Sequence, residues 1–160
     1  MGSLKALLFF CLLSSALFSC KKEQKAIPAK SQYQLLTQGS WVLVEAYTNT
    51  EKDGVHATQD IYGNMDDCQK DDIVTFTKDG HEVLVDQGPL KCDVASPQTS
   101  VNQTWVLVSN TQIELTHLVF ETSYEAKILE LSETVLLIRV YGTWSDGTSF
   151  ETTYKYNRAS

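Results

Sequence analysis

The chain has 160 residues and a formal net charge of −7, with 20 acidic against 13 basic side chains. Such an acidic balance makes nucleic acid and anionic membrane surfaces poor partners, since both select for basic patches. No phosphate-cradling glycine loop and no His-Glu-x-x-His motif is present, so neither phosphate-binding nor zinc-protease chemistry is written in the chain.

Residues 1–19 read as an export signal. Lys5 supplies a basic start, Ala6 to Phe18 is almost wholly apolar, and Ser19 is a small residue before the cut. A membrane-spanning helix needs roughly 20 apolar residues, and Lys21-Lys22-Glu23 ends the run before that. Leu17-Phe18-Ser19-Cys20 resembles the lipobox of bacterial lipoproteins. That resemblance implies cleavage before Cys20 and acyl chains on its sulfur and amine; the alternative is an ordinary secretory signal with an incidental cysteine. Two or more acyl chains anchor stably where one does not. By the same resemblance, Lys21 after the lipid site points to the outer membrane. Residues 20–31 have the polar composition of a tether, which leaves 32–160 as one folded domain.

Gln32 to Gln38 is long enough for one helical turn that plugs something. The first β-rich run is Trp41 to Tyr47. Thr48 to Lys70 is the least regular part, rich in turn formers such as Asp53-Gly54 and Gly63-Asn64, and is expected to be a long connection crossing one end of the fold. From Asp72 onward the pattern is regular. Asp72–Thr77 and His81–Val85 flank Lys78-Asp79-Gly80, and after Gly88-Pro89 a polar loop is expected over Ala95–Asn102. Thr104–Val108 and Gln112–Thr116 flank Ser109-Asn110-Thr111. Thr122–Leu131 and Thr134–Tyr141 flank Ser132-Glu133, and Thr148–Tyr156 closes after Asp146-Gly147. Eight short strands joined by tight turns predict an all-β, antiparallel up-and-down barrel. Phe150, Thr152, Tyr154 and Tyr156 share one face of the last strand. Val106–Val108 and Leu136–Val140 are apolar on both faces, so their outer side is expected to be covered by the long connection or a partner chain.

Cys68 and Cys92 lie twelve residues either side of Gly80. In an extended hairpin they would face one another across its open end, which predicts a disulfide in an exported chain; two buried free thiols are the alternative. If first and last strands are neighbours, Arg158 would meet the Trp41 ring, a cation–π contact worth about 0.5–2 kcal/mol.

A meander opened by Gly39-Ser40-Trp41 and closed by Arg158 resembles the lipocalins. The run Cys68–Phe76, with Asp79-Gly80, Lys91-Cys92 and Thr104-Trp105, is similar to the lipocalin-like domains of lipid-anchored envelope proteins of Bacteroidetes-type bacteria. The resemblance covers about Leu36 to Arg158. It implies that Trp41 and Arg158 close one end of the barrel, and that an apolar lumen lies within.

An eight-stranded barrel is just wide enough to be filled by side chains or to hold one small ligand. Phe76, Trp105, Tyr124, Phe150 and Tyr154 are the candidate ligand-binding residues; the bland reading is that these rings fill the lumen. The competing class is a filled barrel that docks on another envelope protein. Gly142 to Gly147 has one residue too many for a Gly-x-Ser-x-Gly nucleophile elbow and reads as a hairpin turn. His56, His81 and His117 are scattered, and Asp66-Asp67 with Asp71-Asp72 lack the spacing of a calcium loop. The chain is therefore expected to be a non-enzyme without metal or cofactor. Exported protein should incorporate labelled palmitate, and Cys20→Ala should abolish both the label and membrane retention; retention of the Cys20→Ala chain in the membrane would refute lipid anchoring.

Overall fold

A computed structural model describes residues 29–160; the expected export signal, Cys20 and the expected tether as far as Pro28 lie outside them. The chain begins with a short helix, α1 (Gln32–Thr37), whose first turn is held by a reciprocal cap between Ser31 and Gln34. Nine strands follow: β1 (Ser40–Lys52), β2 (Val55–Asp60), β3 (Ile73–Phe76), β4 (Glu82–Asp86), β5 (Thr99–Ser109), β6 (Gln112–His117), β7 (Thr122–Leu131), β8 (Val135–Thr143) and β9 (Ser149–Arg158). A one-turn helix, α2 (Asp67–Lys70), precedes β3.

Eight of the strands, β1 and β3 to β9, form the expected antiparallel meander, and pairing of β1 with β9 closes it into a barrel. The ninth is a departure from expectation. β1 does not stop at Tyr47 but runs to Lys52 and turns back at Asp53-Gly54 into β2. Both turn residues have positive φ, 50° and 78°, the geometry of a two-residue hairpin loop whose twist suits the flanking strands. β3 reaches only Ser40–Val42 of β1, so β2 satisfies the upper part of that edge. A second departure lies in β5, which starts at Thr99 inside the stretch expected as loop. Thr99 to Val101 pair with Asp86 to Leu84, where threonine and valine suit a pleated surface.

The end that holds α1 is sealed. Trp41 and Leu36 are fully buried, and the indole Nε1 donates to the Leu36 carbonyl at 3.1 Å. Arg158 is the last residue of β9 and pairs with Trp41 across the closing seam. Its Cζ sits 3.7 Å from the centroid of the Trp41 ring. Its Nη2 donates to Leu35 O at 2.8 Å, and its Nε donates to Glu133 O at 3.0 Å. One side chain thus joins the helix, the seam and the β7–β8 turn. Gly39 is where that arginine presses closest, since a Cβ there would lie 3.1 Å from Nη1.

At the opposite end, Cys68 of α2 is bonded to Cys92 in the β4–β5 connection, with Cα atoms 5.1 Å apart. The bond lies at the open end of the β3–β4 hairpin, although both strands are shorter than the spacing supposed and neither cysteine is within one. A loop of this size stabilises by about 3.5 kcal/mol in the chain-entropy model. Beside it, the Asp71 carboxylate accepts from the Leu90 amide at 2.8 Å. Burial first, then the Asp71 and Asp86 carboxylates, raise the Asp72 pKa above its ordinary value. On the outer face, Val106 and Val108 are about half exposed. The long first connection packs instead on β1, so it is not the cover expected for them. The outer side of β8 carries Arg139, which donates from Nε to Thr153 Oγ1 at 3.0 Å and pairs with Glu151.

Two outcomes follow. Trp41→Ala should destabilise the fold by about 3–5 kcal/mol in denaturant titration, and Gly39→Ala should also destabilise it by displacing Arg158. Asp72 has a raised folded pKa, so its stabilising contribution is complete below the ordinary aspartate range and is lost as pH rises through the raised value. Asp72→Asn should therefore raise the melting temperature at pH 7, with the gain shrinking as pH falls through the raised value and gone below the ordinary aspartate pKa of about 4.

Candidate functional site

Inward-facing residues divide along the barrel axis. Toward α1, Ile113, Leu136, Trp41 and Trp105 are at most 1% exposed, and together they form a packed floor. Higher up, Val85, Tyr124, Val140, Phe150 and Tyr154 also point inward but are only half buried. What they face is a cavity of about 650 Å³, within the range that encloses small ligands. The lumen is neither empty nor filled: it is plugged below and open above.

Aliphatic walls come from Val74 of β3, Val83 and Val85 of β4, Leu115 of β6, and Ile138 and Val140 of β8. The expected candidates Phe76, Tyr124, Phe150 and Tyr154 all line the cavity. Trp105 does not. Its indole lies in the floor, donating from Nε1 to Thr77 O at 3.2 Å, with the Phe76 ring edge-on at 5.7 Å. The Tyr33 ring of α1 sits 5.6 Å away, and its hydroxyl donates to Lys78 O. Trp105 is thus held by the plug and does not line the lumen.

Several lining residues were not among the candidates. Tyr156 of β9 is the chief one, and its shared parity with Tyr154 was the available signal. Asn102, Gln103, His117 and Tyr141 bring the polar part of the lining. Gln103 Nε2 donates to the Tyr124 hydroxyl at 2.9 Å. Burial raises the pKa of Tyr124, Tyr154 and Tyr156, and the mutual proximity of the three phenols reinforces this for the last two. All three stay protonated across the physiological range. On the closing strands, Thr48 and Thr152 satisfy one another by a hydroxyl–hydroxyl bond of 2.8 Å, so no polar group is left bare there.

The mouth lies at the end away from α1. Phe150 stands at its edge and stacks on Trp144 of the β8–β9 turn at 5.3 Å. Gly142, opposite Phe150 in the register, makes this possible: a Cβ there would lie 2.3 Å from the phenyl ring. The β6–β7 turn presents Val119 and Phe120, each more than 70% exposed. Their amides donate to Nδ1 of His117 at 3.2 and 3.4 Å. That nitrogen therefore acts as an acceptor. A second hollow of about 440 Å³ lies outside the barrel wall beside Phe150, but Asn49, Glu51, His56 and Glu151 make it polar. Ser145 sits on a hairpin turn closed by Gly147 at φ 85°, away from any strand-to-helix elbow. Among the described residues no group of three histidine, cysteine or acidic side chains is placed to hold a metal ion.

No family model matches the chain, and no curated protein matches it. Among solved structures, a complex of bovine odorant binding protein with a selenium-containing odorant is similar over 84% of this chain and 76% of its own, at a TM-score of 0.43 and 12% identity.

Proposed function

We propose that this chain is a lipocalin-like binding protein that encloses a small hydrophobic ligand in its lumen and is held at the outer membrane by acyl chains on Cys20. The observation that carries the ligand reading is the lumen itself. Roughly 650 Å³ walled by valine, leucine, isoleucine and aromatic rings gains free energy from any apolar body that displaces water from it, at about 25 cal/mol per Å² buried. Exposed Val119, Phe120 and Trp144 at the mouth extend the apolar surface outward, where an incoming ligand meets it first. The anchoring half rests on the sequence of residues 1–21. A filled barrel acting only through its outer face fits poorly with so open a lumen.

The purified full chain in detergent-free buffer should bind the neutral hydrocarbon probe diphenylhexatriene saturably, one per barrel, read as fluorescence enhancement. Val140→Trp places a larger ring in the lumen and should weaken that binding by at least about tenfold, at an overpacking cost of about 1–3 kcal/mol that leaves a cooperative melt. Absence of saturable enhancement, or full binding by a cooperatively folded Val140→Trp chain, would remove the ligand reading.

A further inference from the structure

The lumen is apolar in its walls but not in its depths, and the nature of its polar part narrows the ligand. None of the side chains that line it is aspartate, glutamate, lysine or arginine. The one histidine, His117, has its Nδ1 occupied by two amide hydrogens from the β6–β7 turn. What the cavity offers instead is phenol. Tyr124, Tyr154 and Tyr156 come from β7 and β9, which flank β8, and all three line the cavity.

Their hydrogen bonding is incomplete. Tyr124 accepts from Gln103 Nε2, which leaves its own O–H hydrogen free to donate. Among the described residues, the hydroxyls of Tyr154 and Tyr156 meet no protein hydrogen-bond partner, and neither oxygen is sealed away from solvent. Three phenolic donors therefore open on one enclosed volume. Burial keeps them protonated, so they act as donors and not as phenolates. An apolar molecule that filled the cavity without an oxygen would strip water from these hydroxyls and return nothing. A carboxylate would receive hydrogen bonds, but it would bury a charge with no lysine or arginine among the lining residues, in a chain already carrying an excess of acid. The chemistry that satisfies both conditions is a neutral oxygen.

We infer that the lumen selects an uncharged amphiphile, an ester, ketone or alcohol on an apolar body, over a fatty acid, and that the hydroxyls of Tyr124, Tyr154 and Tyr156 meet its oxygen. This rests on the ligand-binding reading above and goes beyond it, because it assigns the specificity to three residues. The three tyrosines are specificity-determining groups and carry out no bond-making step.

Displacement of diphenylhexatriene from the full chain tests it. At pH 8, 2-undecanone should displace the probe at concentrations at least about tenfold lower than decanoic acid, the difference being the burial of an unpaired carboxylate. Lowering the pH to 5 should draw the acid towards the ketone as its carboxyl protonates, and leave the ketone unchanged. Tyr154→Phe and Tyr156→Phe should each weaken 2-undecanone by about five- to tenfold more than they weaken diphenylhexatriene, the difference being the loss of one hydrogen bond. Equal displacement by acid and ketone at pH 8 overturns the inference. So does a loss in the phenylalanine variants that is as large for the hydrocarbon probe as for the ketone. Either of those results leaves ligand binding standing, whereas a failure of the unaltered chain to bind the probe at all removes both.

Discussion

The Arg158 guanidinium, 3.7 Å from the centre of the Trp41 ring, is the contact on which the rest of the barrel depends. It lies on the seam between the first strand and the last, where chain connectivity gives no help and only side chains and ladder hydrogen bonds hold the sheet closed. Its other hydrogen bonds reach the end of α1 and the β7–β8 turn. Of the carbonyls they satisfy, that of Leu35 is part-buried, and an unpaired acceptor there is costly. Gly39 then has a plain physical meaning: it keeps a side chain out of the place the arginine occupies.

Closure at that end permits openness at the other. Leu36, Trp41, Trp105, Ile113 and Leu136 are packed to near-complete burial. Residues above them need not pack against one another. Val85, Val140, Phe150 and Tyr154 remain half buried, a state that would signal poor packing in a solid core and signals a solvent-accessible lumen here. The disulfide between α2 and the β4–β5 connection holds the rim at the same end, where two irregular segments meet with little apolar burial between them.

Much of this was legible in the residues. Period-two alternation and short polar turns mark six of the eight barrel strands to within two residues, and β7 has the boundaries expected of it. What escaped was decided by tertiary partners. β2 is a run of exposed residues with no clear alternation, Val55–Asp60; it is a strand because β1 has an uncovered edge beside it, which no local pattern reports. Thr99 to Val101 sit among loop formers and become strand only by pairing with β4. Trp105 carries the same inward parity as a lumen residue, and parity alone does not say how deep along the axis an inward residue falls. Its indole hydrogen bond to Thr77 settles that depth. Tyr156 was assigned to the right face and overlooked as a lining residue for the converse reason.

Among the described residues, a vessel sealed by α1 opens at one end, a doorway between Phe150 with its Trp144 neighbour and the β6–β7 turn. Whatever occupies the interior leaves by the route it entered, so the barrel cannot conduct a flux from one side to the other. A ligand of the kind proposed would therefore come to equilibrium with the medium at that doorway. The chain enters the barrel domain at the opposite, stoppered end through α1. A support attached ahead of α1 therefore holds the domain by its base, with the doorway on the far side.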